Sequence, residues 1–258
     1  MKECIKVGLL GAGTVGSGVL TVLEENTAEI EKKVGVPIHV SKILVRDMKK
    51  AKELSEKYQL TDKIEDIVED PEIDIVVELI GREHPAKEYI AAALEHKKNV
   101  VTANKDVLAK YGKELFPLAE ENKVDFMFEA SVGGGIPIIR PLCTSLAQEH
   151  IESITGILNG TTNYILSKME NEGADFETVL KRAQEKGYAE RNPEADVCGY
   201  DAGRKIAILT SLAFGSTVKF EEIQTEGITK ISTADFAYAE KLGCVVKLLA
   251  TSFKKDEK

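Results

Sequence analysis

Ile5-Lys6-Val7-Gly8-Leu9-Leu10-Gly11-Ala12-Gly13-Thr14-Val15-Gly16 runs from an apolar, strand-like stretch into a G-x-G-x-x-G loop, with a helix-like segment directly behind it. The glycine spacing alone is weak evidence, but strand, loop and helix in this order form the context in which such a loop cradles a dinucleotide pyrophosphate. Gly11 allows the tight turn, Gly13 lets the backbone approach the phosphates, and Gly16 lets helix and strand pack closely, with the helix N-terminus facing the anion. Thr14 and Val15 belong to the same set of expected cofactor contacts.

Outward from this loop the rhythm is regular. Strand-like runs over residues 39–45, 73–79, 99–102 and 124–128 alternate with helix-like segments over 13–33, 49–58, 85–96 and 105–122. Short Val/Ile runs separated by amphipathic helices imply right-handed crossovers and a parallel sheet. The class expected is α/β, a Rossmann-type doubly wound sheet over residues 1–130. Beyond it the stretch Gly133-Gly134-Gly135-Ile136-Pro137 breaks the pattern. With apolar residues close on both sides and no polar spacer, it reads as an ordered turn rather than a flexible linker. Residues 131–258 show one strand signal (151–158), three helical segments, a helix over 234–242 and a last strand over 244–253. They are expected to form a smaller α+β domain for substrate binding and dimerisation, truncated at its C-terminal end, since a sheet with so few strands leaves faces and edges uncovered.

Composition narrows the classes of function. A formal charge of -9 over 258 residues argues against a nucleic-acid surface, which needs clustered Lys and Arg. No apolar run approaches the roughly 20 residues of a membrane-spanning helix, and the first residues lack a signal-peptide pattern. Cys4, Cys143, Cys198 and Cys244 show neither zinc nor disulfide spacing, so a reduced, cytoplasmic setting is expected.

The end of the second strand faces the adenosine ribose, where a carboxylate would favour NAD. Here it reads Leu44-Val45-Arg46-Asp47, followed by Lys49 and Lys50. Arg46 can pair a 2'-phosphate, which favours NADP. Asp47, one residue on, leaves use of NAD open, while the two lysines read as a solvated helix face.

Several further segments together resemble the homoserine dehydrogenase family. They are Val76-Val77-Glu78-Leu79-Ile80-Gly81, Val100-Val101-Thr102-Ala103-Asn104-Lys105, Phe128-Glu129-Ala130-Ser131-Val132-Gly133-Gly134-Gly135-Ile136-Pro137, Gly156-Ile157-Leu158-Asn159-Gly160-Thr161-Thr162-Asn163-Tyr164 and Gly187-Tyr188-Ala189-Glu190, the last leading on through Pro193, Asp196, Gly199 and Asp201 to Lys205. Arg82 departs from the family, whose members commonly carry a second glycine after Gly81. The resemblance implies reversible reduction of aspartate 4-semialdehyde by NAD(P)H, a small-molecule reaction, with a homo-oligomer, dimer or tetramer, as the expected assembly. It implies that Lys105 contacts cofactor or substrate, that Gly187 lies in the cofactor site, and that a structural monovalent cation such as sodium is held by main-chain carbonyls of Glu129, Val132, Gly134 and Ile136. Family members continue well past the end of this sequence.

The residues allow the chemistry to be argued from below. An amino-acid aldehyde needs carboxylates for its ammonium group, a cofactor face and a proton source for the alkoxide. Asp201 and Lys205 lie four apart on a predicted helix whose continuation, residues 206–214, is apolar on nearly every face. A charged pair at the mouth of a buried helix is a better candidate for a site than a surface pair of the same spacing. With the resemblance added, Lys205 is the expected general acid and base, Asp201 its positioning partner, and Glu190 and Asp196 the groups that bind the ammonium. Two competing readings stay in view: an inactive NADP-binding or oligomerisation fragment, and a thiol-dependent semialdehyde dehydrogenase using Cys143 or Cys198. The latter needs a nearby base, and neither cysteine has a histidine neighbour in sequence; His39, His84, His96 and His150 show no evident pairing with them.

Overall fold

The computed structural model describes residues 2–48 and 51–255 and divides into two compact units, Met1–Ile136 and Pro137–Lys258. In the first unit the elements run β1 (Ile5–Leu10), α1 (Thr14–Glu25), α2 (Thr27–Val34), β2 (Ile38–Leu44), β3 (Gln59–Thr61), α3 (Glu65–Val68), β4 (Ile75–Glu78), α4 (Ala86–Glu95), β5 (Asn99–Thr102), α5 (Lys105–Asn122) and β6 (Phe126–Met127). The strands form one sheet in the order β3-β2-β1-β4-β5-β6, every neighbouring pair parallel. This is the Rossmann order, with its switch point between β1 and β4.

Alternation along β1 divides the core. Leu10 joins Leu44, Val76 and Val100 under α4 and α5, where Ile90, Leu94, Val107 and Leu115 are buried. Leu9 points to the other face, with Ile43, Val45 and Leu20 of α1. Successive residues of a strand face opposite sides, so an all-apolar strand is what a sheet covered on both faces requires.

Two local expectations change in this unit, and one strand joins it unforeseen. The helix expected over 13–33 is two helices, because the side chains of Asn26 and Thr27 turn back onto the carbonyls of Val22, Leu23 and Glu24 and close the first helix there. Of the helix expected over 49–58, Lys49 and Lys50 lie outside the described residues, and the remainder holds only a short 3-10 turn, Leu54–Glu56. Behind it comes β3, a three-residue edge strand too short and too polar to carry a periodic signal.

The second unit contains β7 (Ser153–Gly156), α6 (Gly160–Glu172), α7 (Phe176–Glu185), α8 (Glu194–Val197), α9 (Tyr200–Phe214), α10 (Thr233–Lys241) and β8 (Ala250–Phe253). The two strands pair antiparallel. The strand expected over 244–253 is thus confined to the four residues that find partners on β7. Ile165, Leu166 and Met169 of α6, Val179 and Ala183 of α7, Phe236 of α10 and Ile228 of the loop before it form the core of this unit.

Candidate active site

The first cluster belongs to the sheet. Gly11 has φ +96, a conformation natural only to glycine, and its N–H donates to Leu44 O (3.0 Å), tying the loop to the end of β2. A Cβ on Gly16 would fall well inside 3.0 Å of the Gly11 carbonyl oxygen, whereas one on Gly13 would meet nothing within 4 Å. Gly16 therefore serves the approach of α1 to β1, and Gly13 leaves open the space that a pyrophosphate needs. Thr14 and Val15, both exposed, open α1. These residues fit a bound dinucleotide. Arg46 is exposed just past β2, with Asp47 beside it.

At the carboxyl edge of β4 and β5 lies a buried polar chain that sequence reasoning missed. Glu78 is fully buried; its carboxylate accepts from Thr102 Oγ1 (2.6 Å) and from the Ile80 N–H (2.7 Å). Thr102 Oγ1 in turn accepts from the Asn104 N–H (3.0 Å). The Asn104 side chain caps α5 by accepting from the Val107 N–H (3.2 Å) and donates through Nδ2 to Arg82 O (2.8 Å). Half-buried Lys105, the first residue of α5, is held by this network at the sheet edge where open α/β folds bind ligands. The available signal was a carboxylate closing an apolar strand, since a buried charge demands partners.

The chain that follows β6 contains the residues expected to form a cation loop. Gly133 (φ +66) and Gly135 (φ +80) are left-handed, and the Ile136 N–H donates to Gly133 O (2.6 Å), so the glycine stretch is an ordered turn. Its ligands would be main-chain oxygens, which suits a hard cation; among the described residues no cluster of three His, Cys, Asp or Glu side chains offers a metal site.

The second cluster lies within the other unit, at the mouth of α9. Asp201 and Lys205 form an ion pair with Lys205 Nζ 2.6 Å from Asp201 Oδ2, their side chains 9% and 18% exposed for Asp201 and Lys205 respectively. Lys205 Nζ also donates to Leu158 O (2.8 Å). Behind the pair, residues 206–210 are buried, as the apolar pattern of the helix required. Asn159, which caps α6, donates from its one Nδ2 to Asp196 Oδ1 (2.7 Å) and Asp201 Oδ2 (2.9 Å). Three of the expected residues, Asp196, Asp201 and Lys205, are thus brought together, and Asn159 joins them unforeseen.

Glu190 is exposed, in a loop whose backbone is pinned: Thr161 Oγ1 donates to Tyr188 O (2.7 Å) and Gln184 Nε2 to Glu190 O (3.1 Å). Gly187, exposed with φ +74, turns this loop after α7. Cys198 is half-buried and Cys143 exposed. His84, by contrast, engages Glu88 (2.7 Å) and Tyr111 (3.2 Å), and His96 the Ala92 carbonyl (2.8 Å).

The fold and the first cluster define a nicotinamide-dinucleotide-binding protein of the Rossmann class, joined to a second unit that carries a buried carboxylate–lysine pair. Residues 11–129 match the family model described as the NAD binding domain of homoserine dehydrogenase, and residues 137–256 match the model described as homoserine dehydrogenase. The chain belongs to the homoserine dehydrogenase family. It is 51% identical to the homoserine dehydrogenase of Synechocystis sp. over 95% of this chain and 57% of that protein. A crystal structure of a homoserine dehydrogenase from Thiobacillus denitrificans superposes with a TM-score of 0.94 at 48% identity, covering 98% of this chain and 59% of that one. A hyperthermophilic archaeal homoserine dehydrogenase in complex with NADPH superposes at 0.80 and 29% identity, over 97% of this chain and 79% of that one. The chain therefore spans somewhat over half the length of the first two. No helix among the described residues is long and apolar enough to cross a membrane.

Proposed function

We propose that this chain catalyses the reversible, NAD(P)H-dependent reduction of L-aspartate 4-semialdehyde to L-homoserine, a step toward threonine and methionine. The observation that carries the reading is the Asp201–Lys205 pair, shielded from solvent and ordered by Leu158 O. An ammonium so placed is a proton donor at a developing alkoxide on reduction and, deprotonated, a base toward the hydroxyl on oxidation. Asp201 orients Lys205 toward that oxygen. Asp196 and Glu190 bind the substrate's ammonium group, with Lys105 contacting cofactor or substrate.

The dinucleotide is held by Gly11, Gly13, Thr14, Val15 and Gly16, and when bound it supplies the hydride. Arg46 pairs the 2'-phosphate, so NADP is preferred, and the archaeal relative solved with NADPH supports that preference. Main-chain carbonyls of Glu129, Val132, Gly134 and Ile136 ligate a monovalent cation, sodium being the natural occupant, whose role is to order the turn. The working form is a cytoplasmic homo-oligomer, with the cofactor domain over residues 1–130 and the substrate and dimerisation domain over 131–258.

Steady-state oxidation of homoserine with NADP and NAD in parallel tests the proposal. Lys205→Ala should abolish turnover while leaving NADPH binding in place, and Arg46→Asp should shift preference from NADP toward NAD. Wild-type rates no higher than those of Lys205→Ala with both cofactors would refute the activity, and NADPH binding without turnover would define a binding module instead.

A further inference from the structure

Asn159 is only 4% exposed, and both ends of its amide are engaged. Oδ1 accepts from the Thr162 N–H (2.8 Å) and from Thr162 Oγ1 (2.8 Å), while Nδ2 donates to Asp196 and Asp201. The Thr162 N–H fixes which way the amide points, because only the oxygen can face that donor; the NH2 group must then face the carboxylates. A cap residue needs only an oxygen, and Ser, Thr or Asp would serve α6 as well. Only an amide brings two N–H donors to a spot where two carboxylates would otherwise face each other across the substrate's expected ammonium site.

We propose that Asn159 is a positioning residue: its amide bridges Asp196 and Asp201, keeps the two carboxylates apart in fixed orientations, and thereby holds Asp201 against Lys205. Asp201 Oδ2 is shared between the Asn159 amide and the Lys205 ammonium, so the amide sets where the ammonium sits. The placement holds whatever reaction the site performs; its consequence for turnover rests on the dehydrogenase reading above.

The two parts are separated by measuring acylation of Lys205 by acetic anhydride, followed by mass spectrometry, alongside homoserine oxidation. Asn159→Ser keeps the cap and loses the bridge. Lys205 should then acylate faster by about threefold or more, because an amine no longer held in one place against Asp201 and Leu158 O is more often open to the reagent. The kcat for homoserine should fall by about tenfold or more through misplacement of the proton donor, with the Kd for NADPH within about twofold of wild type. Asn159→Asp, which retains both acceptor contacts to Thr162, serves as the second variant and should show the same fall in kcat. Asp175→Ala, which removes the cap of α7 in the same unit, controls for general loss of helix stability and should change neither readout. Lys205 labelling unchanged in Asn159→Ser, or changed equally by Asp175→Ala, overturns the positioning role. Faster labelling with unchanged kcat overturns its part in turnover. Faster labelling in a chain whose wild type does not oxidise homoserine upholds the placement and refutes the dehydrogenase reading.

Discussion

Arg82→Gly should stabilise the first unit. Arg82 has φ +67, as a left-handed non-glycine residue next to Gly81 at φ +70. For an L residue this conformation costs about 1–2 kcal/mol. Glycine removes that cost but has more freedom to lose on folding, a penalty of about 0.5–1 kcal/mol. Relief of strain therefore wins by roughly 0.5–1 kcal/mol. The side chain is exposed, and the one hydrogen bond described at this residue, from Asn104 Nδ2 to the Arg82 carbonyl, uses the main chain and survives the substitution. In a unit of this size the gain amounts to a rise in melting temperature of about 2–4 °C. Scanning calorimetry of the cofactor-free chain, with the transition of the first unit identified by its shift on adding NADPH, measures it. A melting temperature unchanged or lowered would show that the left-handed backbone is not strained, or that the guanidinium makes a contact worth more than the strain.

Gly16→Ala should weaken dinucleotide binding by about tenfold or more, since a methyl group forced against the Gly11 carbonyl displaces either α1 or the phosphate loop, a steric conflict of about 1–3 kcal/mol; a titration with NADPH that returns the wild-type Kd would refute the close-approach role. Asp70 is held below the ordinary carboxylate value near 3.8, first by its hydrogen bond from Lys42 (2.8 Å) and then by the Glu72 N–H. A depressed carboxyl stabilises the fold above its unfolded value and ceases to do so as pH falls through the folded one. Asp70→Asn should accordingly cost about 1 kcal/mol near neutral pH, the scale of a partly exposed pair, and progressively less below about pH 4. Urea denaturation across that range checks the sign, and a difference that grows in acid would contradict it.

The dinucleotide half of this protein was legible because its information is local. Gly11, Gly13 and Gly16 sit within one turn of chain, apolar strands covered on both faces read as unbroken Val/Ile/Leu runs, and β5 and α5 fall on the residues their periodicity marks. Asp201 and Lys205 were legible for the same reason, lying one helical turn apart. What escaped was short or non-local. The strand β3 draws its hydrogen bonds from β2 rather than from any pattern of its own, and the break at Asn26 depends on side chains competing for carbonyls that helix propensity assigns to the backbone. The partnerships of Glu78 with Thr102 and of Asn159 with Asp196 and Asp201 join residues 24 to 42 positions apart. A sequence states that a carboxylate or an amide is present. Only the folded chain decides whether it is buried, and a buried polar group takes its role from the partners that satisfy it.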